Sequence, residues 1–200
     1  MIDLLTLHKQ FLAPHIKPGC QVADFTMGNG HDTLWLCRAV GSEGHVWAFD
    51  VQEQAVASTR ALLEAELPYV NYDLILASHA DADKYIGGKI SAGVFNLGYL
   101  PGGDKSITTL RSSTLPAVRC AIEMLAPDGI VLIAVYPGHE EGRLEGEALS
   151  EMLAGYSRFR YCVSCFRLLN SPTSPFFYMV ESKKVCQRRD LSPIPGKTQG

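Results

Sequence analysis

The chain has 200 residues, of which 46% are hydrophobic and 20% charged, and its formal net charge is −3. This composition is sufficient for one well-packed domain and excludes collagen-like, coiled-coil and disordered chains. No apolar run approaches the roughly 20 residues of a membrane helix, and the amino terminus lacks the pattern of a secretion signal. A cytoplasmic protein with no membrane partner is expected.

The predicted elements alternate between strand and helix. An amphipathic helix is predicted over 1–17, before Pro18-Gly19. Continuous apolar runs then predict seven strands, over 21–27, 45–51, 72–78, 91–97, 129–136, 161–169 and 176–182. Further helices are predicted near 31–40, 53–66, 106–126 and 140–154. Strands that are apolar along their whole length are typical of a parallel sheet covered by helices on both faces.

The last two predicted strands are joined only by the segment NSPTSP. Because parallel neighbours need a connection of about a dozen residues or more, this pair is predicted to be antiparallel. The expected architecture is Rossmann-like α/β: a seven-stranded, mostly parallel sheet with an antiparallel carboxy-terminal hairpin strand and helices on both faces. One domain is predicted over 1–183, followed by a polar, mobile tail over 184–200.

The six cysteines show no disulfide framework and are expected to be reduced. Cys162 and Cys165 have the spacing of a metal or redox pair, but they lie inside a predicted strand. Side chains three positions apart in a strand point to opposite faces, so these two thiols are not expected to bind one ion. No metal site is predicted.

A glycine-containing loop, DFTMGNGHDT over 24–33, follows the first strand and begins a helix. Gly28 and Gly30 allow a tight turn and the close approach of a ligand to the backbone. Asp50 ends the second strand, where a carboxylate can accept hydrogen bonds from both hydroxyls of a ribose. This pattern is shared by dinucleotide-dependent enzymes and methyltransferases.

Two features of the loop favour S-adenosylmethionine as the cofactor. Thr33 occupies the place of the third glycine in the dinucleotide fingerprint, and Asp24 and Asp32 would repel a pyrophosphate. The same carboxylates favour a sulfonium and an ammonium, although Asp24 could serve only as a cap. Ligands of such sheets bind at the carboxyl ends of the strands, which places Gln52 near the adenine and makes Ser78 and His79 candidates for its polar edge. A structural role for His79 remains an alternative.

The fourth strand ends in FNLGYLPGGDK over 95–105, where an acceptor would face the transferable methyl group. The amide oxygen of Asn96 can accept an N–H from an amine and aim its lone pair, and Tyr99 can stack on a planar base. Asn-x-x-Tyr resembles the Asn-Pro-Pro-Tyr loop of amino methyltransferases, with Leu97-Gly98 in place of the prolines. A tight turn with Tyr99 packed in the core is the alternative. Asp104 or His139 is a candidate proton acceptor, although water could serve instead, and Asp104 and Lys105 could cap the next helix.

Several stretches together resemble a family of bacterial rRNA methylases of the class I S-adenosylmethionine-dependent type. They are DFTMGNGHDT (24–33), FDVQ (49–52), SHAD (78–81), FNLGYLPGGDKSITT (95–109) and YPGHEEG (136–142). The resemblance implies methylation of the exocyclic amine of 5-aminomethyl-2-thiouridine at the tRNA wobble position. It further implies cofactor contacts from Asn29, Asp32, Asp50, Gln52, Ser78 and His79, and a substrate loop from Asn96 to Asp104. Gly98, Pro101, Lys105 and His139 are the predicted substrate-binding residues.

The anticodon stem-loop of tRNA is the predicted partner, because proteins read unstacked single-stranded bases most readily. A basic last quarter, with arginines 158, 160, 167, 188 and 189 and lysines 183 and 184, is either a phosphate-contacting surface or an ordinary solvated face. A homodimer could supply further RNA-binding surface. Three rival functions remain: methylation of rRNA or of a small amine, a nicotinamide-dependent oxidoreductase, and a non-catalytic nucleotide- or RNA-binding module.

Overall fold

The computed structural model describes residues 4–104 and 106–183, with side chains from Thr6 onward. Its strands are β1 Gln21–Asp24, β2 His45–Asp50, β3 Tyr72–Leu76, β4 Ile90–Asn96, β5 Leu125–Val135, β6 Tyr161–Phe166 and β7 Phe176–Ser182. Its α-helices are α1 Leu4–Leu12, α2 His31–Val40, α3 Glu53–Glu66, α4 Arg111–Glu123 and α5 Glu140–Ala154. Short 3-10 helices cover Ala13–His15 and His79–Lys84. The tail over 184–200 lies outside the described residues.

The seven strands form one sheet in the order β3-β2-β1-β4-β5-β7-β6. The pairs among β1 to β5 are parallel, whereas β7 is antiparallel to both β5 and β6. The predicted Rossmann-like fold, including its antiparallel hairpin, is confirmed. The order of the strands reverses between β1 and β4, and such a reversal opens a crevice at the carboxyl ends of the strands.

Helices cover both faces of the sheet, which explains why its inner strands β1, β4 and β5 are buried along most of their length. One buried cluster packs α1, α2 and α3 against the sheet through Leu12, Leu36, Val40 and Leu63. The other packs α4 and α5 against the opposite face through Val118, Ile122, Leu149 and Leu153. The inner strand β5 is buried from Ile130 to Val135 because it contributes side chains to both clusters.

The amino-terminal helix is shorter than the sequence predicts. Helix α1 ends at Leu12 rather than at residue 17, and a 3-10 turn containing Pro14 follows it. Proline removes a backbone donor and clashes with the preceding turn of an α-helix, so the regular helix ends before it.

The predicted helix over 106–126 is wrong at both ends. Helix α4 begins only at Arg111, because the preceding residues fold back along the segment that follows β4. It ends at Glu123, and β5 begins at Leu125, earlier than predicted. The early part of β5 contains Asp128 at φ 69°, and the pairing with β4 shifts register there. A bulge of this kind has no hydrophobic signal in the sequence.

The described part of the chain bears on three expectations from the sequence, which concern membrane helices, metal sites and the cysteines of β6. None of its helices is long and apolar enough to cross a membrane. Within residues 4–104 and 106–183, no three His, Cys, Asp or Glu side chains are grouped so that they could hold a metal ion. Cys162 and Cys165 are free and exposed on β6, at the edge of the sheet.

We expect Gly93→Ala to destabilise the fold by about 1–3 kcal/mol, because overpacking a filled core strains its neighbours. A Cβ at Gly93 would lie 2.9 Å from Cε2 of Phe25, which is fully buried and stacked on Phe95 with ring centroids 4.3 Å apart. Urea unfolding measures the change in the free energy of unfolding. Gly87→Ala is the matched control, since a Cβ there meets nothing within 4 Å. Equal stabilities of the two variants would contradict this packing argument.

Candidate active site at the carboxyl ends of the strands

A cavity of about 680 Å³ lies over the crevice between β1 and β4. Its walls come from the segments that follow each of the first five strands, and Thr173 and Pro175 of the β6–β7 connection close one side. This volume is within the range of pockets that hold small molecules and cofactors, roughly 300–1,000 Å³.

The turn between β1 and α2 forms the floor of one half of the cavity. Gly28 and Gly30 have φ of +50° and +83°, which side-chain-bearing residues rarely adopt. Thr59 of α3 packs directly under the turn: its hydroxyl donates to the carbonyl of Gly28, and a Cβ at Gly30 would lie 2.8 Å from its Oγ1. The two glycines are therefore required by backbone conformation and, at Gly30, also by space.

Asp50 is fixed by two backbone donors. The N–H of Gly28 donates to Oδ2 at 3.1 Å, and the N–H of Gln52 donates to Oδ1 at 3.0 Å. Each carboxylate oxygen retains a further lone pair, so Asp50 can still accept hydrogen bonds from two neighbouring hydroxyls of a ligand. Asp50 and Gln52 both line the cavity, as a ribose and adenine site requires.

His79 lines the same half of the cavity and is only 8% exposed. Its Nδ1 donates to the carbonyl of Phe25 at 3.2 Å, and burial lowers the pKa of the ring. The neutral ring therefore has a lone pair on Nε2, which is buried without a partner among the described residues. An amino group on a bound base would satisfy this atom. The neighbouring Ser78 lines the cavity and caps the 3-10 helix by accepting from the N–H of Ala80.

The two aspartates that flank the glycine turn have different environments. Asp24 is fully buried and accepts from the Thr33 hydroxyl at 2.7 Å and from the Thr26 N–H at 3.2 Å. Burial and then the charge of Asp32 raise its pKa to about 7. Burial alone would raise the pKa of Asp32 too, but the adjacent side chains of His8 and then Lys9 lower it well below its ordinary value. Both aspartates lie behind the residues that line the cavity.

Asn96 ends β4 and connects the two halves of the cavity. Its backbone N–H donates to the Thr26 hydroxyl at 2.7 Å, and its side-chain Nδ2 donates to Oδ2 of Asp32 at 2.8 Å. Because a carboxylate can only accept, the amide nitrogen must face Asp32 and the amide oxygen must point the other way. That oxygen is buried and has no partner in the described part of the chain.

The segment after Asn96, here called the acceptor loop (97–110), is closed at its base. Gly98 has φ of +130°; its N–H donates to the Thr109 hydroxyl, and its carbonyl accepts from the Thr109 N–H. Tyr99 pairs with Thr108 in an antiparallel bridge. The Thr109 hydroxyl in turn donates to Glu145 of α5, a fully buried carboxyl whose pKa is raised by burial. These contacts supply the stiffness that prolines provide in an Asn-Pro-Pro-Tyr loop.

Tyr99 and His139 form the acceptor-side wall, with ring centroids 6.1 Å apart. Tyr99 is 42% exposed rather than packed in the core. His139 begins α5, and its Nδ1 accepts from the N–H of Gly142 at 3.1 Å. A neutral ring held in this way has its proton on Nε2, so His139 is arranged as a donor and not as a base. Its Nε2 is buried without a partner among the described residues.

Pro101, Asn29 and Asp104, which the sequence also predicts for the site, lie at the edge of the cavity or beyond its lining. Pro101 lines the cavity, and its carbonyl accepts from Nδ2 of Asn29, which joins the acceptor loop to the glycine turn. Asp104 is exposed, and the hydrogen bond from the Ser106 N–H lowers its pKa, so it is a weak base. Lys105 lies outside the described residues.

Several residues of the site have no signal in the sequence. His8 and Lys9 come from α1 and contact Asp32, and Glu145 comes from the middle of α5. Each is a polar residue on an otherwise ordinary amphipathic helix, and only tertiary packing brings it to the site. Thr109 could have been singled out, because it ends a glycine-rich loop and precedes a helix, a position where hydroxyls often bond to the backbone.

Comparison with known proteins identifies the family. Residues 46–181 match the family model described as "Putative rRNA methylase". The chain belongs to this rRNA methylase family. The resemblance noted from the glycine turn and the acceptor loop is thereby confirmed.

Two solved structures are similar to this rRNA methylase family member over nearly their whole lengths. A "putative rRNA-methylase" from Clostridium thermocellum has a TM-score of 0.88 and 34% identity, covering 91% of this chain and 98% of its own. A "putative methyltransferase" from Streptococcus mutans, solved in complex with SAH, has a TM-score of 0.82 and 36% identity, covering 91% of this chain and 99% of its own.

A curated relative has a more specific name. It is "tRNA (mnm(5)s(2)U34)-methyltransferase, chloroplastic" from Arabidopsis thaliana, which is 35% identical over 170 residues. The match covers 80% of this chain and 62% of the relative, so the chain spans about three fifths of the relative's length.

The buried carboxyl of Asp24 predicts a pH dependence of stability. Its pKa is about 7 in the folded chain and 3.8 ordinarily, so the folded chain binds the proton more tightly. Stability is therefore lost as the pH rises from about 4 to 7, by up to about 1.4 kcal/mol per pH unit. Asp24→Asn should remove this slope, and its stability relative to the parent should increase between about pH 5 and 7.5. Urea unfolding across that range measures the difference, and parallel profiles would contradict the assignment.

Proposed function

We propose that the chain transfers a methyl group from S-adenosylmethionine to the exocyclic amine of 5-aminomethyl-2-thiouridine at the wobble position of tRNA. The methyltransferase class and the cofactor follow from the family and from the similar Streptococcus mutans methyltransferase solved in complex with SAH. The observation that carries the choice of an amine is the buried, unpartnered oxygen of Asn96, whose direction Asp32 fixes.

The residues present fit the proposed cofactor. The cavity offers a carboxylate for the ribose hydroxyls at Asp50, an unpartnered acceptor for an amino group at Nε2 of His79, and a glycine turn that admits close approach. When bound, S-adenosylmethionine supplies a methyl carbon, which forms a bond to the acceptor nitrogen as its bond to sulfur breaks and the electron pair remains on the sulfur.

Asn96 would act on the acceptor nitrogen. Its oxygen accepts one N–H of the neutral amine, so that the nitrogen lone pair is held on the axis of displacement. The same oxygen stabilises the positive charge that develops on nitrogen during the transfer. One proton of the resulting ammonium then leaves to water, since Asp104 is a weak base and His139 is arranged as a donor.

The rim of the cavity is suited to an unstacked base. Tyr99, Ile107 and Val51 line the cavity and remain substantially exposed, with Tyr99 presenting an aromatic ring. Single-stranded RNA is commonly read by stacking its bases on such side chains. The name of the Arabidopsis relative specifies the modified wobble uridine, and the family description supports RNA more broadly.

The basic residues of the last quarter that the structure describes do not form one surface. Strand β6 runs with Phe166 at the cavity end and Tyr161 at the far end, because its partner β7 begins beside Val135 of β5. Arg167 therefore lies near the cavity, whereas Arg158 and Lys183 lie at the opposite end of the sheet, where Lys183 donates to the carbonyl of Arg158. The phosphates of an anticodon stem would contact Arg167, at the cavity end of β6. A homodimer and a cytoplasmic location remain predictions.

Separate variants should distinguish cofactor binding from turnover. Asp50→Ala should weaken S-adenosylmethionine binding roughly 100-fold, because it removes a charged acceptor of two hydrogen bonds. Asn96→Ala should leave binding almost unchanged and lower kcat roughly 100-fold or more. Calorimetry and methyl-transfer rates measure the two effects. Asp73→Ala is the control, since Asp73 is an exposed carboxylate paired only with His45 in the described structure. Full methylation by the Asn96 variant would disprove its proposed role.

The substrate can be tested with labelled S-adenosylmethionine and bulk tRNA from a strain that lacks this activity. Nucleoside mass spectrometry should show conversion of 5-aminomethyl-2-thiouridine to its methylated form, and the Asn96→Ala variant should not produce it. Parallel reactions with rRNA and with small primary amines test the rival acceptors. Cofactor binding combined with labelling of rRNA alone, or of small amines alone, would leave the methyltransferase class intact and overturn the tRNA assignment.

A further inference from the structure

Both oxygens of Asp32 are occupied by protein groups. Oδ1 lies 2.9 Å from Nζ of Lys9, while Oδ2 accepts from Nδ2 of Asn96 at 2.8 Å and lies 3.4 Å from Nε2 of His8. Asp32 also lies in the first turn of α2, where the helix dipole favours a negative charge. The sequence predicts a cofactor contact for this residue, both from the charge of the glycine-containing loop and from the family resemblance.

The two partners from α1 are themselves held in place. His8 is 2% exposed, and Nζ of Lys9 lies 5.7 Å from the ring centroid of Trp35. Helix α1 packs on the sheet through Leu12, which is buried in the same cluster as Leu36 of α2. A side chain on α1 therefore has a fixed position relative to the carboxylate at the start of α2.

Asp32 connects α1 to Asn96, because it forms an ion pair with Lys9 and accepts a hydrogen bond from the Asn96 amide. A side-chain amide can rotate by half a turn and exchange its oxygen and nitrogen, and only its neighbours decide between the two states. The carboxylate of Asp32 beside Nδ2 of Asn96 selects the state in which Oδ1 points toward the amine that receives the methyl group. An ionised carboxylate also draws the N–H toward itself, which makes the opposite oxygen a stronger acceptor.

We infer that Asp32, held by Lys9 of α1 and flanked by His8, is a positioning residue that sets the direction and acceptor strength of the Asn96 amide. This inference rests on the proposed function, because it assigns a purpose to the oxygen that would contact the amine. Helix α1 thereby contributes to turnover although none of its described side chains lines the cavity.

A turnover experiment tests whether Asp32 acts through Asn96. Asp32→Asn introduces an amide that tolerates either orientation of Asn96, and kcat should fall roughly 10-fold to 100-fold while cofactor affinity stays within about 2-fold. In the Asn96→Ala background, measured under single-turnover conditions, Asp32→Asn should change the rate by less than about 2-fold. Losses that multiply in the double variant, or a loss of cofactor affinity as large as the loss of kcat, would overturn the inference.

The contribution of α1 is tested with variants of Lys9. Lys9→Met should lower kcat in the same direction as Asp32→Asn, and Lys9→Arg should restore most of the rate because it keeps the positive charge. Lys84→Met is the matched control, since Lys84 forms an exposed ion pair with Asp81 away from the cavity. A rate equal to that of the parent in Lys9→Met would overturn the role of Lys9.

A spectroscopic measurement needs no substrate. The side-chain amide signal of Asn96 is assigned in a ¹⁵N–¹H spectrum by its loss in Asn96→Ala. It should shift in Asp32→Asn and in Lys9→Met, and it should not move in Lys84→Met. An unmoved signal would overturn the inference even if tRNA is methylated. A shifted signal without methylation of tRNA would overturn only the proposed substrate.

Discussion

Hydrogen bonds between the ends of β1 and β4 hold the two halves of the site together. The N–H of Phe25 donates to the carbonyl of Val94, and the N–H of Asn96 donates to the hydroxyl of Thr26. The cofactor turn and the acceptor loop are therefore continuations of neighbouring strands, and the distance between a bound methyl donor and an acceptor is set by the spacing of the sheet. The stacked rings of Phe25 and Phe95 fill the space beneath this junction.

Four of the seven buried side-chain atoms that lack a hydrogen-bond partner in the described structure lie at the cavity. His79 Nε2, Asn96 Oδ1, Thr108 Oγ1 and His139 Nε2 are all buried without a hydrogen-bond partner in the described structure, and all four residues line the cavity. Each such atom costs roughly 1–3 kcal/mol until a ligand satisfies it. These unsatisfied atoms lower the free energy of unfolding, as is common at preorganised sites. The hydrophobic clusters on both faces of the sheet compensate for this loss of stability.

The sequence predicts the strands, the antiparallel closing pair and the glycine turn because these depend on local hydrophobic patterns, connection lengths and the rule that ligands bind at the carboxyl ends of parallel strands. It also predicts that Asn96 and Asp50 lie at one edge. It could not predict that Asp32 faces Asn96 and Lys9 rather than the cavity, because this depends on how α1 packs beside α2. The helix predicted over 106–126 includes the end of the acceptor loop. The bridge between Tyr99 and Thr108 that folds this loop back is too short to leave a periodic signal in the sequence.

The acceptor loop is attached to the rest of the site at its base, through Thr109, and at Pro101, whose carbonyl accepts from Asn29. Its closure at the base depends on Thr109, which accepts from Gly98 and donates to the buried Glu145, while Pro101 and Ile107 line the cavity. Because the attachment at Pro101 is made by a backbone carbonyl, the side chains between Pro101 and Thr109 can change without displacing Asn96 or the cofactor turn. Acceptor choice and methyl-donor binding are thus separable within one scaffold, so related chains could diverge in what they methylate through changes confined to this span.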